Sequence, residues 1–120
     1  MDNGTRTVLI VDDDPQILRL LETILKQRRV HVLVTRRVAE ALEICERETV
    51  HLLISDVKMP EMDGAKLAER VIELHPHASV LLISGYSKEA PPVSKAGHVR
   101  FLDKPFFPSQ LMAQLRELLP

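Results

Sequence analysis

Leu52-Leu53-Ile54-Ser55-Asp56-Val57-Lys58-Met59-Pro60-Glu61-Met62-Asp63-Gly64 decides the fold. Its opening apolar run reads as a strand buried on both faces, and Pro60 and Gly64 then turn the chain out of the sheet. A carboxylate at the end of such a strand opens into the crevice outside the carboxyl ends of the strands, where open α/β sheets place their chemistry. The question for every other segment is what it brings to Asp56.

Before this stretch, Val8 to Val11 is a short all-apolar strand, and Asp14-Pro15 supplies an N-cap and a first-turn proline for a helix running to about Arg28. Ile17, Leu18, Leu21, Ile24 and Leu25 fall at helical spacing, so one face of that helix is meant for a sheet. Val30 to Val34 is a second, β-branched strand, and Val38, Ala41, Leu42 and Cys45 mark a second helix. After it, Ala65 to Leu74 forms a third helix with Leu67, Ala68, Val71 and Ile72 inward, and Val80 to Ile83 a fourth strand. Pro91-Pro92 denies most of Gly85 to Gly97 a regular helix interior, so a loop with at most a turn or two of helix is expected there. Val99 to Leu102 is a fifth strand, and Ser109 is expected to cap a last helix bearing Leu111, Met112, Leu115, Leu118 and Leu119. Strands alternating with amphipathic helices predict an α/β fold: a doubly wound, five-stranded parallel sheet with right-handed crossovers and helices on both faces.

The 120 residues suit a single domain, 1–120, large enough to bury a core without disulfides or a structural metal. Lys plus Arg number 16 against 17 Asp plus Glu, and the net charge of -1 gives no electrostatic reason to expect nucleic acid or an anionic membrane as partner. One cysteine, Cys45, rules out an internal disulfide and fits a reducing compartment. No apolar segment approaches the length of a membrane span, and Met1-Asp2-Asn3-Gly4-Thr5-Arg6 lacks the apolar core of a signal peptide, so a cytoplasmic location is expected.

Polar groups gather at other strand ends: Asp12, Asp13 and Asp14 after the first, Ser84 after the fourth, Lys104 after the fifth. In a parallel sheet all these ends lie on one edge. Asp12 and Asp13 beside Asp56 repel one another unless a hard divalent cation sits among their oxygens, and Mg²⁺ suits an open, carboxylate-lined site. Such a set can serve phosphoryl transfer. Asp56 would attack, Mg²⁺ would bridge the carboxylates to a phosphoryl oxygen, Lys104 would pair with a second oxygen, and Ser84 would hydrogen-bond a third.

Val8-Leu9-Ile10-Val11-Asp12-Asp13-Asp14-Pro15, Ser55 to Gly64, Leu82-Ile83-Ser84-Gly85 and Phe101-Leu102-Asp103-Lys104-Pro105-Phe106 together resemble a receiver domain of bacterial two-component signalling. The resemblance covers nearly the whole chain and implies a flavodoxin-like sheet. It implies Asp56 as phosphoacceptor, with Asp12, Asp13, Asp56 and the backbone carbonyl of Lys58 on Mg²⁺. It makes Ser84 the switch hydroxyl, Lys104 the phosphate-binding lysine, and Phe101 the aromatic that swings inward on activation. Lys58 and Tyr86 match the variable positions that tune autodephosphorylation, and a cis Lys104-Pro105 peptide is expected. The implied partners are a histidine kinase or histidine phosphotransfer protein as donor and a downstream protein as output. Catalysis is limited to the domain's own phosphorylation and dephosphorylation.

Only twenty positions separate Ser84 from Lys104, and Pro91-Pro92 falls where the family's fourth helix belongs, which predicts a short or irregular helix there and disfavours dimerisation through that face. The Ser84-Gly85-Tyr86-Ser87 wording is similar to receivers of hybrid histidine kinases. With no effector domain after Pro120, output is expected through binding or through a longer parent chain. Asp14 is better used as an N-cap than as a metal ligand, and Cys45 as a small buried hydrophobe. His75-Pro76-His77 reads as a surface loop, and His31, His51 and His98 are isolated. Two other functions compete: a phosphate-independent receiver-like interaction module, and a phosphatase of the haloacid dehalogenase type built on Asp12-x-Asp14. The second lacks the acidic motif that family needs after its lysine, since only Glu117 follows Lys104.

Overall fold

The computed structural model describes residues 5–85 and 98–119. Five strands, β1 (Arg6–Val11), β2 (Val30–Thr35), β3 (Leu52–Asp56), β4 (Ser79–Ser84) and β5 (His98–Asp103), alternate with helices α1 (Pro15–Lys26), α2 (Val38–Arg47), α3 (Gly64–Leu74) and α4 (Pro108–Leu118). Every strand pair is parallel and the order is β2-β1-β3-β4-β5. The sheet is the doubly wound one that the alternating pattern predicts, with the flavodoxin-like order that the resemblance implies.

Side-chain alternation along each central strand feeds two separate cores. Val8, Ile10, Leu52, Ile54, Leu81 and Ile83 pack with α1 and α4 on one face. Leu9, Val11, Leu53, Val80 and Leu82 pack with α2 and α3 on the other. Both faces of the sheet are therefore covered, and polar chemistry is confined to the strand ends.

The strand order reverses between β1 and β3, and a crevice opens at such a switch point. Val11 stands opposite Ser55, so the residues that follow, Asp12 and Asp56, leave the sheet side by side.

Local capping explains where the helices begin. Asp14 adopts extended backbone and its carboxylate accepts the Gln16 N–H at 2.9 Å, with Pro15 in the first turn, as the sequence predicts. Asp63 caps α3 through the Ala65 N–H at 2.7 Å. The last helix departs from expectation: it starts at Pro108, with Phe107 rather than Ser109 in the capping position. The Gln110 side chain reaches back to accept the Phe107 N–H at 2.7 Å, and Pro108 fixes the first turn, leaving Ser109 already inside the helix. The expected short or irregular helix between Ser84 and β5 falls, apart from Gly85, outside the described residues.

Candidate functional site

Three loops at the carboxyl edge bring the sequence-predicted residues together. Asp12 is buried at the end of β1, and one of its oxygens, Oδ1, accepts the Asp14 N–H at 2.9 Å, which turns the chain into α1. Its other oxygen, Oδ2, is buried and has no hydrogen-bond partner among the described residues. Asp56 ends β3, and its Oδ1 accepts the Lys58 N–H at 3.3 Å. Carboxylate oxygens of Asp12, Asp13 and Asp56 lie within 4.8 Å of one another.

Lys104 enters from β5. The Lys104 N–H donates to the Ser84 carbonyl at 2.7 Å, and its ammonium lies 3.5 Å from Asp56 Oδ2 and 3.8 Å from Asp12 Oδ2. The Lys104-Pro105 peptide is cis, as expected. Ser84 is buried at the end of β4 on the same edge. Asp56, Lys58 and Lys104 line a crevice of about 680 Å³, together with Ile17 and Leu20 of α1 and with Phe106.

The electrostatics of this cluster are adverse. Burial raises the Asp12 carboxyl from 3.8 to about 6, against the opposing pull of the Asp14 N–H and Lys104, and the Asp56 and Asp13 carboxylates push it further up. A single ammonium shared between two carboxylates does not neutralise three. An all-oxygen set with a buried, unsatisfied oxygen has the donor chemistry of a hard divalent cation, so the residues fit Mg²⁺.

The loop after Asp56 is closed tightly. The Gly64 N–H donates to the Val57 carbonyl at 2.7 Å, and a Cβ on Gly64 would lie 2.1 Å from the Asp56 carbonyl oxygen, so only glycine allows α3 to start this close to the acceptor strand.

Phe101 is half-buried on the edge strand and packs against the core that α2 and α3 share. Tyr86 lies outside the described residues. Asp14 serves as the N-cap and stays out of the carboxylate cluster, and Cys45 is buried on α2. His75-Pro76-His77 lies in the loop between α3 and β4, with Pro76 and His77 exposed, while His75 is half-buried and its Nε2 donates to the Cys45 carbonyl at 2.8 Å. Sequence reasoning missed Glu61, whose Oε1 accepts the Val38 N–H of α2 at 3.0 Å. The missing signal was negative: Arg37, directly before α2, has no side chain able to cap a helix amino terminus.

The family model of the response regulator receiver domain matches residues 8–116. The response regulator receiver protein CpdR of Brucella abortus (strain 2308) is 31% identical over 116 residues, which cover 95% of this chain and 97% of that protein. The sensor kinase CckA of the same organism is 36% identical over 124 residues, covering 98% of this chain but 13% of the kinase. The solved receiver domain of the hybrid histidine kinase CckA superposes with a TM-score of 0.80 at 32% identity, over 95% of this chain and 99% of that one. Among the described residues no helix is long and apolar enough to cross a membrane. With the fold, the acidic crevice and a match across residues 8–116 in agreement, the chain belongs to the response regulator receiver domains of two-component systems.

Proposed function

We propose that this chain, as one receiver domain over residues 1–120, takes a phosphoryl group from a phosphohistidine onto Asp56. The observation that carries this reading is the meeting of Asp12, Asp13, Asp56 and Lys104 at one strand edge, where the buried Asp12 Oδ2 makes no hydrogen bond among the described residues and has Lys104 only at 3.8 Å. An Asp56 carboxylate oxygen forms the new bond to phosphorus while the P–N bond of the donor breaks, and the imidazole leaves with that electron pair and is protonated. Lys104, whose ammonium lies 3.5 Å from Asp56 Oδ2, would pair with a phosphoryl oxygen. Ser84 supplies a hydroxyl from the neighbouring strand end. Asp12, Asp13, Asp56 and the Lys58 carbonyl would hold Mg²⁺, which when bound offsets the charge of the carboxylates and of the phosphoryl oxygens.

The donor is a histidine kinase or a histidine phosphotransfer protein, and the output is a change in binding to a downstream protein. Catalysis extends only to the domain's own phosphorylation and dephosphorylation, with Lys58 and Tyr86 tuning the second and Phe101 reporting the first. The balanced net charge of -1 and the single cysteine support a cytoplasmic protein whose partners are proteins rather than nucleic acid or membrane.

The test is intact mass after incubation with a small-molecule phosphodonor, with and without Mg²⁺, on the native chain and on Asp56→Asn. A single Mg²⁺-dependent adduct that disappears in the variant is expected. An adduct that persists in Asp56→Asn moves the acceptor elsewhere, and no adduct under any condition favours a phosphate-independent binding module.

A further inference from the structure

The helix α2 begins without a cap of its own. Arg37 occupies the capping position and makes no side-chain hydrogen bond there, leaving a helix amino terminus whose N–H groups need an acceptor. The acceptor arrives from 23 residues away, as Glu61 Oε1 receives the Val38 N–H at 3.0 Å. A carboxylate is the favoured group at this position, because it meets both an unpaired donor and the positive end of the helix dipole.

Glu61 lies in the loop that joins Asp56 to Gly64. The base of that loop is pinned by the Gly64 N–H to Val57 carbonyl bond and by the Lys58 N–H to Asp56 bond. Its outer part has Met59 and Met62 packed against the core formed with α2 and α3. Glu61 adds a directional tie from the loop to α2. The turn before α2 is itself anchored to the opposite wall of the site, where Arg36 Nε donates to the Asp13 carbonyl at 3.2 Å. Residues 36–38 thus hold one hydrogen bond to the loop carrying Asp13 and one to the loop carrying Asp56 and Lys58.

We infer that Glu61 is a positioning residue for the phosphoacceptor loop: by capping α2 it fixes the loop, and with it the Lys58 backbone, relative to Asp12 and Asp13. This rests on the reading of Asp12, Asp13, Asp56 and Lys58 as the cation site. Groups that orient a cation's ligands without touching the cation alter affinity because ligand geometry, and not only ligand identity, sets binding.

The experiment compares the native chain with Glu61→Ala, Glu61→Gln and the double variant Glu61→Ala/Arg37→Asp, in which an aspartate at the capping position serves α2 from within its own chain segment. Mg²⁺ affinity is measured by titration, and the metal-free proteins are compared by hydrogen exchange at the Lys58 amide. Glu61→Ala is expected to weaken Mg²⁺ binding about tenfold and to speed Lys58 exchange by a similar factor. Glu61→Gln, which keeps an acceptor oxygen, stays within about twofold of native. The double variant regains thermal stability while affinity and exchange protection stay impaired. If it regains those as well, Glu61 acts only as a helix cap and the inference falls; it falls equally if Glu61→Ala changes neither readout. Failure of the phosphoacceptor reading is distinguishable, because the native chain would then take no phosphoryl group while the metal-free exchange effect of Glu61→Ala would remain.

Discussion

At the amino edge of the sheet the Thr7 N–H donates to His51 Nδ1 at 2.9 Å, while the His51 N–H returns a bond to the Thr7 carbonyl at 2.9 Å. His75 closes a second gap there by donating to the Cys45 carbonyl, and the Ser79 N–H donates to the His51 carbonyl at 2.9 Å. At the carboxyl edge the same strands end in three crowded carboxylates, one ammonium and a buried Asp12 oxygen without a hydrogen bond among the described residues. A bond between β1 and His51 at one edge therefore faces a repulsion between β1 and β3 at the other. Unsatisfied polar groups are costly in a protein interior, so where they gather they mark the edge at which something else is to bind.

Steric and electrostatic crowding at the carboxyl edge can be separated. Gly64→Ala should cost about 3 kcal/mol, since its Cβ would be driven into the Asp56 carbonyl and either α3 or the acceptor strand must move. Urea denaturation monitored by circular dichroism measures it, and a loss below about 1 kcal/mol would mean that the loop has slack to give.

Asp12→Asn should act in the opposite direction. The native Asp12 carboxyl titrates near 6 against an ordinary 3.8, so the folded state holds this proton more tightly than the unfolded chain does. Its stabilising contribution is complete below about 3.8 and is lost as pH rises through about 6. In the absence of divalent cations, Asp12→Asn should therefore be more stable than native by about 2 kcal/mol at pH 7.5, with the gap closing toward pH 4. Parallel denaturation curves across that range, with and without Mg²⁺, check the sign, and a gap independent of pH would remove Asp12 as its source.

The smallest effect belongs to the amino edge. His51→Ala should cost about 1 kcal/mol by leaving the Thr7 N–H without its acceptor, and should leave Mg²⁺ affinity unchanged. A change in affinity would show that the two ends of the sheet are coupled and that the contrast between them is incomplete.

What could be read ahead of the structure follows range of interaction. Buried strands declare themselves by continuous apolar runs, and Asp14 and Asp63 sit beside the N–H groups they cap, so the sheet, the carboxylate cluster and the start of α1 were all legible. The start of α4 was misplaced because Ser109 is a strong capping type, whereas the bond that forms uses the Gln110 side chain and the Phe107 backbone. Pro108 was the overlooked sign, being favoured in a first helical turn. The bond from His75 was not legible, because nothing local tells that a carbonyl thirty positions earlier lies within reach of this loop residue. Glu61 was hidden for the same reason, since its partner on α2 is distant in sequence and is a backbone group that carries no sequence signature.

Lys104 follows β5, the outermost strand, yet its ammonium reaches the carboxylates that end β3 and β1 in the middle of the sheet. One side chain thus spans the width of β4. The charge at Asp56 therefore acts directly on a residue at the rim of the sheet, one that is also held to the strand between by its N–H to the Ser84 carbonyl. Phe101 lies on that same outer strand, three positions before the lysine.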